Sequence, residues 1–198
     1  VAWSGPGGQP GSLPICISPG NPNGTVSFVI ASRILELLSN WGQWHIDMHG
    51  GDASEWLNPF AIYHKVEDQK VNETSERIAR LWDTEVIWST TQQFGYPGTL
   101  VGELSSRGIP SIVAESGYLG TYNESEVNIH VEGARNVLKA FGLREGGEAK
   151  LKCEGRQQVL TENWVACASR GGVCNQRRAP EGCGVREGGR SRVRPARS

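Results

Sequence analysis

The sequence predicts one α/β domain over about residues 15–145, built on a mostly parallel sheet flanked by helices. Three observations predict it. Apolar runs of strand length alternate with helical periodicity from about residue 43 to residue 141. Two of the helices open on residues suited to capping, Thr25 and Asn123. Two of the strands run straight into titratable side chains, His49 and Glu115, and ligands in such sheets bind outside the carboxyl ends of the strands.

Residues 1–14 are rich in Gly and Pro without periodicity and read as a loop-like lead. The turn signal Pro19-Gly20-Asn21-Pro22-Asn23-Gly24 then precedes a helix to about Asn40, whose apolar stripe is Val26, Val29, Ile30, Ile34, Leu37 and Leu38. A strand over 43–48 follows, and residues 59–64 read as a second. A helix is expected over 72–84, with Asn72 or Thr74 near its start and Ile78, Leu81 and Trp82 on its buried side. Residues 85–88 form a third strand, and Gln92 to Gly98 a loop. Thr99 to Arg107 make a short helix stopped by Gly108, and residues 109–114 a fourth strand ending on Glu115. Asn123 opens the last helix, with Glu126 at the capping-box position and Val127, Val131, Ala134, Val137, Leu138 and Phe141 at helical spacing.

The pattern weakens beyond residue 146. Short strands at 158–160 and 164–165 fit the sequence, and residues 146–198 read as a C-terminal β remnant followed by an Arg-rich tail. Residues 176–198 hold seven Arg against Glu181 and Glu187, a local charge of +5, with too few aliphatic side chains to order themselves. Without interleaved aromatics, a solvated tail explains this stretch better than a nucleic-acid arm.

A hydrophobic content of 37% and a net charge of −1 show no global bias toward nucleic acid. No apolar run approaches the ~20 residues that span a bilayer. The five cysteines (16, 153, 167, 174 and 183) are odd in number and lack a Cys-x-x-Cys pair, which reads as reduced thiols, and the expected location is cytoplasmic.

The chemistry concentrates in Trp44-His45-Ile46-Asp47-Met48-His49-Gly50-Gly51-Asp52. Asp47 and His49 share a strand face, being two apart. A neutral imidazole is the commonest metal ligand, and a nearby carboxylate orients it. The same residues also fit a hydrogen-bonded turn. HIDMHGGD nonetheless resembles the D-[LM]-H-G-G-D segment of the succinylglutamate desuccinylase/aspartoacylase family, relatives of the zinc carboxypeptidases. PGNPNGTVSFVIASRILELL, IVAESGYLGTYNESEVNIHVEGARNVLKAFG and LTENWVACASRGGV are similar to that family's segments in the same order, covering roughly residues 17–172.

The resemblance implies a zinc carboxypeptidase-like fold with a truncated C-terminal β region. It implies a Zn2+ cofactor bound by His49, with Glu115 as general base and acid, Asp47 behind the histidine, and Asp52 as a possible substrate contact. It further implies a small-molecule N-acylated substrate, with neither nucleic acid nor membrane as partner. Zinc lowers the pKa of its water to about 7 and polarises a carbonyl, while a carboxylate on the opposite wall moves a proton from water to the leaving amine. The apolar run before Glu115 suggests a partly desolvated carboxylate with a raised pKa, although a carboxylate bound to loop amides fits equally well.

Two departures stand out. The family's H-x-x-E ligands and its Asn-Arg substrate pair have no counterpart before His49. His45 shares strand parity with Asp47 and His49 but suits a ligand poorly. His64, Asp52 and Glu55 could lie near the site, and His130 reads as an ordinary helical histidine. Periodicity vanishes together with the motifs in residues 1–14 and 173–198, whereas substitution drift would keep a buried face apolar. The expectation is that both ends are poorly ordered and read out of frame. The coding DNA checks this: another frame should spell H-x-x-E upstream of Ile17 and alternating strands downstream of Val173, and its failure to do so would make the divergence genuine.

Overall fold

A computed structural model of the chain describes residues 17–51, 58–91, 98–147 and 149–161, and the backbone of 165–167, 172–174, 185–187 and 190–192. The expectations for residues 1–16, the 92–97 loop, Asp52 and Glu55 lie outside the described residues. In chain order the elements are α1 (Val26–Trp41), β1 (His45–His49), β2 (Phe60–Lys65), α2 (Gln69–Leu81), β3 (Val86–Thr91), α3 (Leu100–Ser106), β4 (Ser111–Glu115), α4 (Glu124–Ala140) and β5 (Gln158–Thr161). Two small antiparallel hairpins follow, β6 (Val165–Cys167) with β7 (Gly172–Cys174) and β8 (Val185–Glu187) with β9 (Arg190–Arg192). The last hairpin lies within the tail that composition alone left unordered.

The main sheet has the order β1-β4-β2-β3-β5. β1 pairs with β4, β2 with β3 and β3 with β5 in parallel, so the sheet is mostly parallel as read from the sequence. Its one antiparallel seam joins β4 to β2, where Phe60 pairs with Glu115 and Tyr63 with Ile112. Connection length supplies the reason. Only residues 50–59 separate β1 from β2, fewer than the dozen or more that a parallel crossover needs, so β2 runs opposite to β1. Strand–helix alternation is silent on that reversal.

Side chains alternate across each strand and divide the core into two layers. Ala61, Tyr63, Ile87, Ile112 and Ala114 pack against Ile78, Ala79 and Trp82 at α2 and Val137 of α4. On the other layer Leu100 and Leu104 of α3 meet Leu35 of α1 and Ile109. Trp82 is 1% exposed and stands against α4 at Gly133. A Cβ there would lie 2.5 Å from the indole, so the absence of a side chain sets how closely the helix approaches.

Helix starts follow hydrogen bonds that composition only hints at. α2 begins three residues before the expected Asn72, because the Asp68 carboxylate accepts from the N–H groups of Lys70 and Val71. Asn72 instead holds the preceding loop, bonding both the N–H and the carbonyl of Val66. The Thr99 hydroxyl caps α3 by accepting from Gly102 N–H, whereas Thr25 precedes α1 without a side-chain cap.

His64 is buried on β2 with its Nδ1 2.5 Å from the Thr90 hydroxyl. Burial lowers its pKa to about 4. The unfolded chain then binds this proton near pH 6.5 and the folded chain only near 4, so stability falls as pH drops through that window. The shift corresponds to roughly 3 kcal/mol over the whole interval. Urea denaturation from pH 7 to pH 4 should show this loss, and His64→Gln should flatten the slope. An unchanged slope in the variant would remove His64 as its source.

Candidate active site

The candidate site is assembled by one pairing. β1 and β4 run parallel in a register that sets His49 beside Glu115 and Asp47 beside Val113. Paired residues in adjacent strands share a face, so His49, Asp47 and Glu115 project from the same side, with His49 and Glu115 at the carboxyl ends. Sequence parity had already placed Asp47 with His49; the register adds Glu115.

The Asp47 carboxylate lies 2.9 Å from His49 Nε2. It holds the ring at one nitrogen and so fixes its orientation. His45 continues the same row. Burial lowers its pKa while the Asp47 charge raises it, and its Nδ1 is buried without a hydrogen-bond partner among the described residues. Glu115 is half-buried at the end of β4. His64 belongs elsewhere: β2 is antiparallel to β4, so its carboxyl end lies at the opposite edge of the sheet from Glu115.

The loops beyond the strand ends are held backbone to backbone. Ser116 N–H donates to His49 O at 3.1 Å, and Gly120 N–H to Gly51 O at 3.1 Å. A Cβ on Gly51 would fall 2.6 Å from Gly117 O and 3.1 Å from the Cα of Tyr118, which explains a glycine at this position.

His130 was missed as a contributor. Its Nε2 lies 3.0 Å from His49 O, and since a carbonyl only accepts, Nε2 carries the proton. The ring also rests on Trp82, with centroids 5.8 Å apart. Glu126, expected to close a capping box, instead accepts from the Ser116 hydroxyl at 2.5 Å, while Asn123 caps α4 through Ser125 N–H. Glu126 and His130 are four residues apart on α4, and that spacing places both toward the strand ends.

A cavity of about 360 Å³ opens beside these loops, with Met48, His49, Tyr118, Tyr122, Glu126 and His130 among its walls. Neither Asp47 nor Glu115 lines it. Met48 alternates with Asp47 and His49 across the strand, so the cavity lies toward the α4 layer and adjoins the carboxylate–histidine row through His49.

Gly51→Ala should separate the two loops. The expected result is lower stability, by about 1–3 kcal/mol for an overpacked contact. Thermal unfolding checks it, and an unchanged transition would show that the close approach is dispensable.

No family model matches the sequence, and no curated protein matches it either. Solved structures do match in fold. The product-bound ectoine utilization protein EutE (DoeB) of Ruegeria pomeroyi aligns at TM-score 0.67 and 22% identity, covering 77% of this chain and 46% of its own. A succinylglutamate desuccinylase/aspartoacylase of Rhodobacter sphaeroides gives 0.65 and 22%, covering 78% and 47%. An aspartoacylase family protein of Mesorhizobium loti gives 0.60 and 22%, covering 79% and 46%. The chain therefore spans less than half the length of these structures. The fold implied by the sequence resemblance is the fold observed.

Proposed function

We propose that this chain carries the proton-transfer side of a hydrolase site, one that cleaves the amide bond of a small N-acylated amino acid or amine. The observation that carries the reading is the in-register pairing of His49 with Glu115 at the carboxyl ends of parallel strands, with Asp47 on the histidine. The fold shared with the deacylase structures supports it. Glu115 takes a proton from the attacking water and returns it to the leaving amine, a role worth about 10²–10⁴-fold in rate. Asp47 fixes the orientation of His49, and Asp52 is assigned to substrate.

Zinc is the metal this reading calls for, and His49 is its proposed ligand. Among the described residues no group of three His, Cys, Asp or Glu side chains could hold a metal ion. These residues alone do not fit a zinc site of three protein ligands. The same observation favours a second reading, in which the chain folds and binds without turnover.

Zinc uptake and hydrolysis of an N-acyl amino acid, measured on the whole chain, separate the two. Zinc binding is expected to be weak and to disappear in His49→Ala. Glu115→Gln should reduce hydrolysis at least 10²-fold with zinc uptake unchanged, because it removes the shuttle and no ligand. Loss of zinc in Glu115→Gln would reassign that residue as a ligand. No hydrolysis by the parent chain at saturating zinc would leave the inactive reading standing.

A further inference from the structure

We propose that the cavity beside His49 is a cation subsite. It takes a primary ammonium carried a few methylenes from the acylated nitrogen of the substrate. The assignment to a substrate rests on the hydrolase reading, whereas the binding of the ammonium does not. Glu126 is half-buried in the cavity wall, and its Oε2 accepts from the Ser116 hydroxyl. That donor is neutral, so the carboxylate keeps its charge. Among the described residues no Lys or Arg lines the cavity.

A carboxylate partly withdrawn from water is stabilised by an opposite charge. The first turn of α4 offers about half a unit of positive charge, which Glu124 in the same turn outweighs. The chain segments that run through the cavity hold no Lys or Arg over residues 34–64 and 108–134. They do hold carboxylates, including Asp52, which follows Gly51 directly in the chain. The acidic bias is thus set by the sequence itself.

The remaining walls suit an aminoalkyl chain. Tyr118 and Tyr122 stand on the loop between β4 and α4 and line the cavity, and an aromatic face attracts an ammonium. Met48 and Val127, 56% and 41% exposed, give the methylenes an apolar surface. A carboxylate at the same place on the substrate would meet Glu126 with no basic side chain to offset it. The cavity therefore selects by charge, through a repulsive contact as well as an attractive one.

Three acetamides of one shape separate charge from size: N-acetyl-trimethylenediamine, its uncharged isostere N-butylacetamide, and the anionic N-acetyl-γ-aminobutyrate. Calorimetric titration of the full chain, without metal and at low salt, reads their binding. The ammonium probe should bind at least tenfold tighter than either of the others. Glu126→Gln keeps an acceptor for Ser116 and removes the charge. It should weaken the ammonium probe at least tenfold and leave N-butylacetamide unchanged. Tyr122→Leu alters a side chain that is 80% exposed and should weaken the ammonium probe about two- to fivefold. Four results would each overturn the proposal: no binding of the ammonium probe, no preference for it, indifference to both variants, or a Glu126→Gln loss shared by all three probes. Ammonium binding without cleavage of the acetamide would defeat the hydrolase reading and leave the cation subsite standing.

Discussion

Everything proposed for this molecule depends on the backbone ladder between β1 and β4. His49 and Glu115 are 66 positions apart in sequence and become neighbours only because two five-residue strands run parallel in one register. A slip of a single residue would turn His49 and Asp47 to the α4 layer and leave Glu115 facing the other way. The register is fixed by the apolar face of the sheet. Ile46, Ile112 and Ala114 belong to the apolar layer under α2 and α4, where a slipped strand would bury charge in place of methyl groups.

That ladder continues past the strand ends through Ser116 N–H and the Gly51 carbonyl. The His49 carbonyl receives a second donor from His130, which stands on Trp82, which in turn stands on Gly133. The α2–α4 contact and the placement of His49 are therefore parts of one packed path. A change at Gly133 would reach the candidate site without touching any residue in it.

Much of this was legible in the sequence. Strand parity grouped Asp47 with His49, and the apolar runs before His49 and Glu115 marked two strand ends at one edge. What escaped reading was what local pattern does not carry. The reversal between β1 and β2 was recorded only in the length of their connection, and the period of the apolar residues is blind to strand direction. The start of α2 turns on Asp68, whose carboxylate accepts from the first free N–H groups, and not on Asn72 or Thr74. His130 looked ordinary because its contact is with a backbone carbonyl 81 positions away, although its i+4 spacing from Glu126 was a usable signal.

The antiparallel seam between β4 and β2 also divides the molecule into two polarities. β1 and β4 direct their carboxyl ends to one rim, while β2, β3 and β5 direct theirs to the opposite rim. In α/β sheets the carboxyl rim is where loops can vary without disturbing the core. This chain therefore has two such rims, one bearing His49 and Glu115 and the other following His64 and Thr90. New sequence at the second rim could be acquired without disturbing the first, so the reversal gives one small sheet two independent places at which to diversify.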